Sequence, residues 1–145
     1  LFERAGNDAH GSITAFYTVL AEDEDGSDPV AEETRSILDG HIVLSRQLGQ
    51  AGHYPAIDVL ASASRVFNRV TGQPQQEAAQ RVRSLMAKHE EIRFLLQVGE
   101  YAPGSDPLAD DAIAAQPALQ ALLRQRPDEG TAFQETLAAL QQFLH

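Results

Sequence analysis

His53-Tyr54-Pro55-Ala56-Ile57-Asp58-Val59-Leu60-Ala61-Ser62-Ala63-Ser64-Arg65-Val66 is the stretch on which the reading of this chain turns. Taken residue by residue, it is a loop carrying one arginine. Tyr54-Pro55 opens an extended or turn segment, because proline disfavours the α region for the residue before it. Small side chains follow, which let the backbone run close to other structure. Arg65 ends the run as a lone cation.

Around this stretch, strand and helix signals alternate. Leu1 to Gly6 reads as the last turn of a helix, with Gly6-Asn7 as its stop. Ser12 to Leu20, rich in Ile, Thr, Phe, Tyr and Val, reads as a buried strand. Asp28-Pro29 is a helix start, with Asp as N-cap and Pro in the first turn. Glu32 and Glu33 then sit at the positive end of the helix dipole. That helix is expected to run to about Leu38, with Gly40 as its stop. His41 to Leu44 suits a short buried strand, and Ser45 caps a short helix, Arg46 to Gln50, closed by Gly49 or Gly52. Strand, helix, strand, helix is the rhythm of a parallel α/β sheet. Two strands do not make a stable isolated sheet, so a missing remainder is expected. So is a cut product, since the chain opens at Leu1.

After Val70 the pattern becomes helical. Thr71-Gly72-Gln73-Pro74 is a breaker cluster. From Gln76 to Val98, Val82, Leu85, Met86, Ile92, Leu95 and Leu96 form a helical stripe, with Glu77 and Arg81 as an i,i+4 pair and Phe94 as core material. Gly99 to Pro103 interrupts it. Asp106-Pro107 starts another helix, with Leu108 and Ile113 inward. Pro117 is expected to divide it from Ala118–Gln125, where Leu119, Leu122 and Leu123 face in. Thr131-Ala132-Phe133-Gln134 carries a capping-box pattern, followed by an inward row of Phe133, Leu137, Leu140 and Leu144. The second half reads as an antiparallel helical bundle.

Composition narrows the function. Over 145 residues, 43% hydrophobic content is enough for a core. The absence of cysteine removes disulfides and thiolate metal sites. A net charge of −10 argues against a nucleic-acid surface, which needs clustered Lys and Arg. No apolar run of membrane length and no basic signal segment is present, so a soluble chain is expected. His10, His41, His53, His89 and His145 share no ligand spacing, so no metal site is expected. Gly6-x-x-x-x-Gly11-Ser12 is not a phosphate loop: Ser12 stands where lysine is required, and a strand rather than a helix follows. Glu22 to Asp28 fails the calcium-loop spacing and reads as a solvated acidic loop.

The stretch from His53 to Val66 closely resembles a motif of the type III secretion ATPases of bacterial injectisomes and flagella, relatives of the rotary ATP synthase catalytic subunits. Glu3-Arg4-Ala5-Gly6-Asn7, Gly11-Ser12-Ile13-Thr14-Ala15 and Arg35 to Arg46 flank it in the family's order and spacing. Val59-Leu60-Ala61 leans to the injectisome branch. The resemblance implies an α/β fragment, the C-terminal part of a RecA-like P-loop ATPase domain over residues 1–72, followed by an all-α helical domain over 73–145.

The resemblance also implies chemistry. Arg65 would be an arginine finger on the γ-phosphate of the neighbouring subunit's nucleotide; the residue itself could equally be a surface arginine or a partner of Asp58. Tyr54 would lie against the adenine of its own subunit's nucleotide; on its own it could be a core tyrosine. Arg4 lies in a motif near the family's catalytic interface, with a structural salt bridge equally open. Arg46 and Asp39 would stabilise strand–helix junctions. The cofactors implied are ATP and Mg2+, bound mainly upstream. The phosphate loop, the Walker B aspartate and the catalytic glutamate are absent, so the isolated chain is expected to hydrolyse no ATP. The parent would be a homohexamer at the cytoplasmic face of the inner membrane. Its partners would be chaperone–effector complexes, a central stalk and export-gate components, with no nucleic acid. The alternatives are a non-catalytic binding module for those partners, centred on Gln75 to His145, or a subunit of another rotary-type ATPase.

Overall fold

Gly6 takes a φ of +142°, a region that side chains with a Cβ avoid, and there the backbone opens a small hairpin. The computed structural model describes residues 5–20 and 28–144, and the chain falls into two units, 1–41 and 42–145. In the first, β1 (Gly6–Asn7) pairs antiparallel with β2 (Ser12–Ile13), Gly6 opposite Ile13 and Asn7 opposite Ser12. Between them Asp8 Oδ1 accepts from the N–H groups of His10 and Gly11 at 2.7 and 2.8 Å, the turn habit of a short acidic side chain. This is a hairpin turn with a strand after it, as a rejected phosphate loop should be. Gly6-Asn7 is therefore a strand and not a helix stop; the helix expected before it, Arg4, and the acidic loop up to Ser27 lie outside the described residues.

The buried strand expected over Ser12–Leu20 is not formed. Pairing ends at Ile13, residues 14–20 have no regular structure, and Phe16 and Leu20 are 90% and 89% exposed. β-propensity expresses fit to a pleated, half-buried surface, and apart from half-buried Tyr17 residues 14–20 are exposed. Further on, α1 (Pro29–Ile37) starts as expected, Asp28 Oδ1 accepting from Ala31 N–H at 3.3 Å. It buries Ala31 and Thr34. It ends at Ile37, and Gly40 opens the next strand rather than closing the helix.

β3 (Gly40–Leu44) and β4 (Ile57–Ser64) form a two-stranded sheet. β3 is half-buried rather than buried: Ile42 and Leu44 face outward while Val43 turns in. β4 corrects the reading of 53–66 as a loop; its small and polar residues masked a strand signal carried by Ile57 and Val59. Between the strands lies α2 (Arg46–Gln50), with Ser45 as N-cap accepting from Leu48 N–H. Gly52, at φ +67°, makes the exit turn. A short α3 (Phe67–Val70) follows β4.

The helical half consists of α4 (Gln73–Val98), α5 (Pro107–Leu123), α6 (Phe133–Gln141) and a closing 3-10 turn, Gln142–Leu144. Val82, Leu85, Ala112 and Leu119 form its core, with Met86, Leu108, Ala115, Leu140 and Phe143 packed on it. Lys88 pairs with Asp106 at 3.1 Å and Arg81 with Asp111 at 2.6 Å, so α5 runs antiparallel to α4. Arg81 thus reaches across to α5 instead of pairing with Glu77, which accepts from Gln73. Pro117 does not divide α5: the helix continues through it, with Ala112 and Leu119 buried on either side. The cap of α6 falls on Ala132, one residue after the expected Thr131, and Glu135 returns to Ala132 N–H at 3.0 Å. Phe133 at 66% and Phe94 at 69% exposed are surface residues, not core. Leu144 is also partly outside.

Candidate functional site

The turn carrying Tyr54 is fixed from two directions. His53 N–H donates to Leu48 O at 2.9 Å and Ser45 N–H to Ala56 O at 2.8 Å, tying both flanks to α2. From the helical half, Gln125 N–H donates to Tyr54 O at 2.9 Å, and Arg124 Nε lies 3.4 Å from His53 Nδ1. Tyr54-Pro55 is a cis peptide. The Tyr54 side chain is 58% exposed, with its hydroxyl 3.8 Å from where a Cβ on Gly49 would stand. The alternative of a core tyrosine is therefore set aside: an exposed flat ring on a held backbone can receive another flat ring.

β4 is not a straight run. Asp58 Oδ1 accepts from Ala61 N–H at 2.9 Å, and the Ser62 hydroxyl donates to Asp58 O. Four residues of extended strand would span roughly 13 Å, far too much for that second bond. The backbone therefore bends over Asp58–Ser62, as bulged strands do. Ser62 Oγ also accepts from Val43 N–H at 2.9 Å, pinning the bend to β3. From α4, Arg83 reaches the bend's carbonyls: Nη1 donates to Val59 O at 2.6 Å and Ser62 O at 3.3 Å, and Nη2 to Leu60 O at 3.0 Å. A groove of about 610 Å³, lined by Leu60, Phe67, Gln76, Gln80, Arg83 and Ser84, runs alongside.

Arg65 stands directly after this bend, exposed, between the end of β4 and the start of α3. Asp58 spends a carboxylate oxygen on the backbone of Ala61. Tyr54 precedes the strand and Arg65 follows it, so the two expected site residues stand at its opposite ends. Arg83, Arg124 and Gln125 were not singled out from sequence. Arg83 lies one residue after a core valine in a helix, where a cation reads as solvated face, and Gln125 acts through its backbone. Among the described residues no group of three His, Asp or Glu could hold a metal. No helix among them is long and apolar enough to cross a membrane.

Comparison with known proteins gives two family matches. Residues 71–142 match the T3SS EscN ATPase C-terminal domain, and residues 1–64 match the nucleotide-binding domain of the ATP synthase alpha/beta family. A type 3 secretion system ATPase from Xanthomonas euvesicatoria is 54% identical over 140 residues, 97% of this chain and 32% of the relative. The assembled ATPase EscN from the enteropathogenic E. coli type III secretion system superposes with a TM-score of 0.94 at 41% identity. The match covers 99% of this chain and 35% of that one. EscN in complex with its central stalk EscO gives a TM-score of 0.88 at 40% identity, with 99% and 34% covered. The chain thus spans about a third of the length of these relatives. The relatives' likeness runs through both the nucleotide-binding match and the helical match, and the chain belongs to the type III secretion system ATPases, within the wider ATP synthase alpha/beta family.

Proposed function

We propose that this chain is the finger-bearing and helical third of a homohexameric secretion ATPase. That ATPase would couple ATP hydrolysis to chaperone release and effector unfolding at the cytoplasmic face of the inner membrane. Tyr54 lies against the adenine of its own subunit's nucleotide. Arg65 enters the neighbouring subunit's site, where a planar, permanently charged, multi-donor group meets charge building on the phosphoryl oxygens. The observation that carries the reading is Arg65 exposed at the end of a bent strand whose backbone is held by α4 and β3. The exposed ring of Tyr54 fits a purine; Mg2+ would be held elsewhere in the protein. The test is a mixing experiment in the full-length ATPase. An Arg65→Ala subunit and a subunit lacking the phosphate-loop lysine are each expected to be nearly inactive, and mixing is expected to restore hydrolysis. If both assemble into rings and mixing restores nothing, Arg65 does not act in trans. The purified 145-residue chain is expected to hydrolyse no ATP.

A second reading, that the helical half also holds partners, draws on Phe94, Leu95 and Val98, which leave an apolar strip exposed near the end of α4. A central stalk or a chaperone–effector complex would use such a strip. Phe94→Ser in the full-length ATPase is expected to weaken stalk or chaperone capture while leaving basal hydrolysis unchanged. Undiminished capture of both would remove the strip from consideration.

A further inference from the structure

We infer that Arg83 is a positioning residue for Arg65: its guanidinium, seated on the bend of β4, fixes the backbone from which Arg65 leaves the strand. The inference rests on the trans-finger reading of Arg65.

The bend lies inside a continuous strand, Ile57–Ser64, and its direction depends on what the bent carbonyls bond. Water could satisfy Val59 O, Leu60 O and Ser62 O singly but could not fix their mutual orientation. A guanidinium can, because its donors lie in one rigid plane. Arg83 uses that fork on three main-chain carbonyls of one bend. Its last acceptor, Ser62, is three residues before Arg65. The side of the bend toward β3 is tied by Val43 N–H to Ser62 Oγ, so the strand end is gripped from both sides.

The grip is anchored in the helical core. Val82 and Leu85, which flank Arg83 in α4, belong to the buried cluster they form with Ala112 and Leu119. The packing of the bundle therefore sets where the guanidinium stands, and through it the strand end. Misplacing a reacting group by 1 Å costs on the order of 10²-fold in rate. A finger carried on an unheld bend would suffer losses of that kind without any change in nucleotide binding.

The test uses the full-length ATPase with Arg83→Met, Arg83→Lys, Arg65→Ala and the Arg65→Ala/Arg83→Met double variant. Ring assembly and melting temperature are measured alongside kcat and KM. Arg83→Met is expected to lower kcat on the order of 10²-fold with KM for ATP little changed, and the double variant to be no slower than Arg65→Ala alone. Arg83→Lys, which keeps the charge but cannot serve three carbonyls, is expected to fall between. The deciding readout is mixing with the phosphate-loop lysine variant. If Arg83 acts through the finger, the Arg83→Met subunit, whose own nucleotide site is intact, receives a sound finger from its neighbour and is rescued. A defect that persists in mixed rings, or that multiplies with Arg65→Ala, overturns the inference. If Arg83→Met does not assemble, Arg83→Lys in the same mixing experiment decides. Rescue of Arg65→Ala without rescue of Arg83 variants sinks only the positioning role; no loss in Arg65→Ala itself sinks the finger reading beneath it.

Discussion

The main-chain N–H of Gln125 donates to the main-chain carbonyl of Tyr54 at 2.9 Å. The segment just after α5 thereby closes on the turn that presents the tyrosine, a second tie besides those to α2. Arg83 makes a second connection, from its side chain to the bend within β4. The turn before the strand and the bend within it, between the proposed adenine contact and the proposed finger, are thus both bonded to the helical half. One tie is main chain to main chain and the other is a guanidinium on main-chain carbonyls.

Gly49 lies beneath the Tyr54 hydroxyl, and a Cβ there would stand 3.8 Å from that oxygen and 3.9 Å from the Ala56 Cβ, ordinary van der Waals distances. Glycine in a helix costs about 0.5–1 kcal/mol relative to alanine. Gly49→Ala is therefore expected to raise stability by about that amount, read as a shifted urea midpoint. Gly49→Leu would push against the ring, and in the full-length ATPase it is expected to weaken nucleotide affinity while Gly49→Ala leaves it unchanged. A destabilised Gly49→Ala would show that the glycine is needed for its backbone.

The helical core offers a paired test. Leu85 is 2% exposed within the four-residue core, and truncating it to alanine is expected to cost about 2–5 kcal/mol. Phe94, on the same helix but outside, is expected to give a change within about 0.5 kcal/mol when replaced by serine. Chemical denaturation of both variants decides. Equal losses would mean that the face of α4 is misassigned.

That pair also marks what the sequence could tell. Helix periodicity found Val82, Leu85 and Ile92 because amphipathic spacing is a local signal. The same spacing drew in Leu95 and Phe133, which are exposed, because a three-helix packing leaves the edges of each apolar stripe uncovered, and which edge is covered depends on partners. Ser45, Asp28 and Asp106 were legible as caps for the same local reason. The strand expected over Ser12–Leu20 was not formed, since strands depend on neighbours that no local pattern encodes. Arg65 and Tyr54 stood out through resemblance, whereas Arg83 did not, because its role is bonding to the backbone of a segment distant in sequence.

Pro117 sits inside α5 on the exposed face, and the helix passes through it. A proline there lacks the N–H that would bond one turn back and crowds the carbonyl of that turn. Interior proline is about 3 kcal/mol less favourable than alanine, offset by about 0.4–1 kcal/mol from the restricted unfolded chain. Pro117→Ala is therefore expected to stabilise the helical half by about 2 kcal/mol in urea unfolding. No gain, or a loss, would mean that the proline is needed to seat Leu119.

Asp106 caps α5, accepting from Leu108 and Ala109 N–H, and pairs with Lys88 of α4. The hydrogen bond from Lys88, then that from Ala109 N–H, holds the Asp106 carboxyl below its ordinary pKa. Glu91, then Asp106, holds the Lys88 ammonium above its own. A carboxyl depressed in the folded state contributes stability that is present above its unfolded pKa of about 3.9 and is lost as pH falls through the lower folded value. The raised lysine contributes below about 10.4 and loses its contribution as pH rises through the higher folded value. Between these limits the connection between α4 and α5 is intact. Asp106→Asn keeps an oxygen for the cap but cannot ionise. Its urea midpoint is therefore expected to fall less than the parent's as pH drops from about 5 to 2. At neutral pH it is expected to lie below the parent's, by a margin that narrows in high salt as screening grows. Parallel acid limbs for the two proteins would mean that ionised Asp106 contributes nothing to the helix pairing.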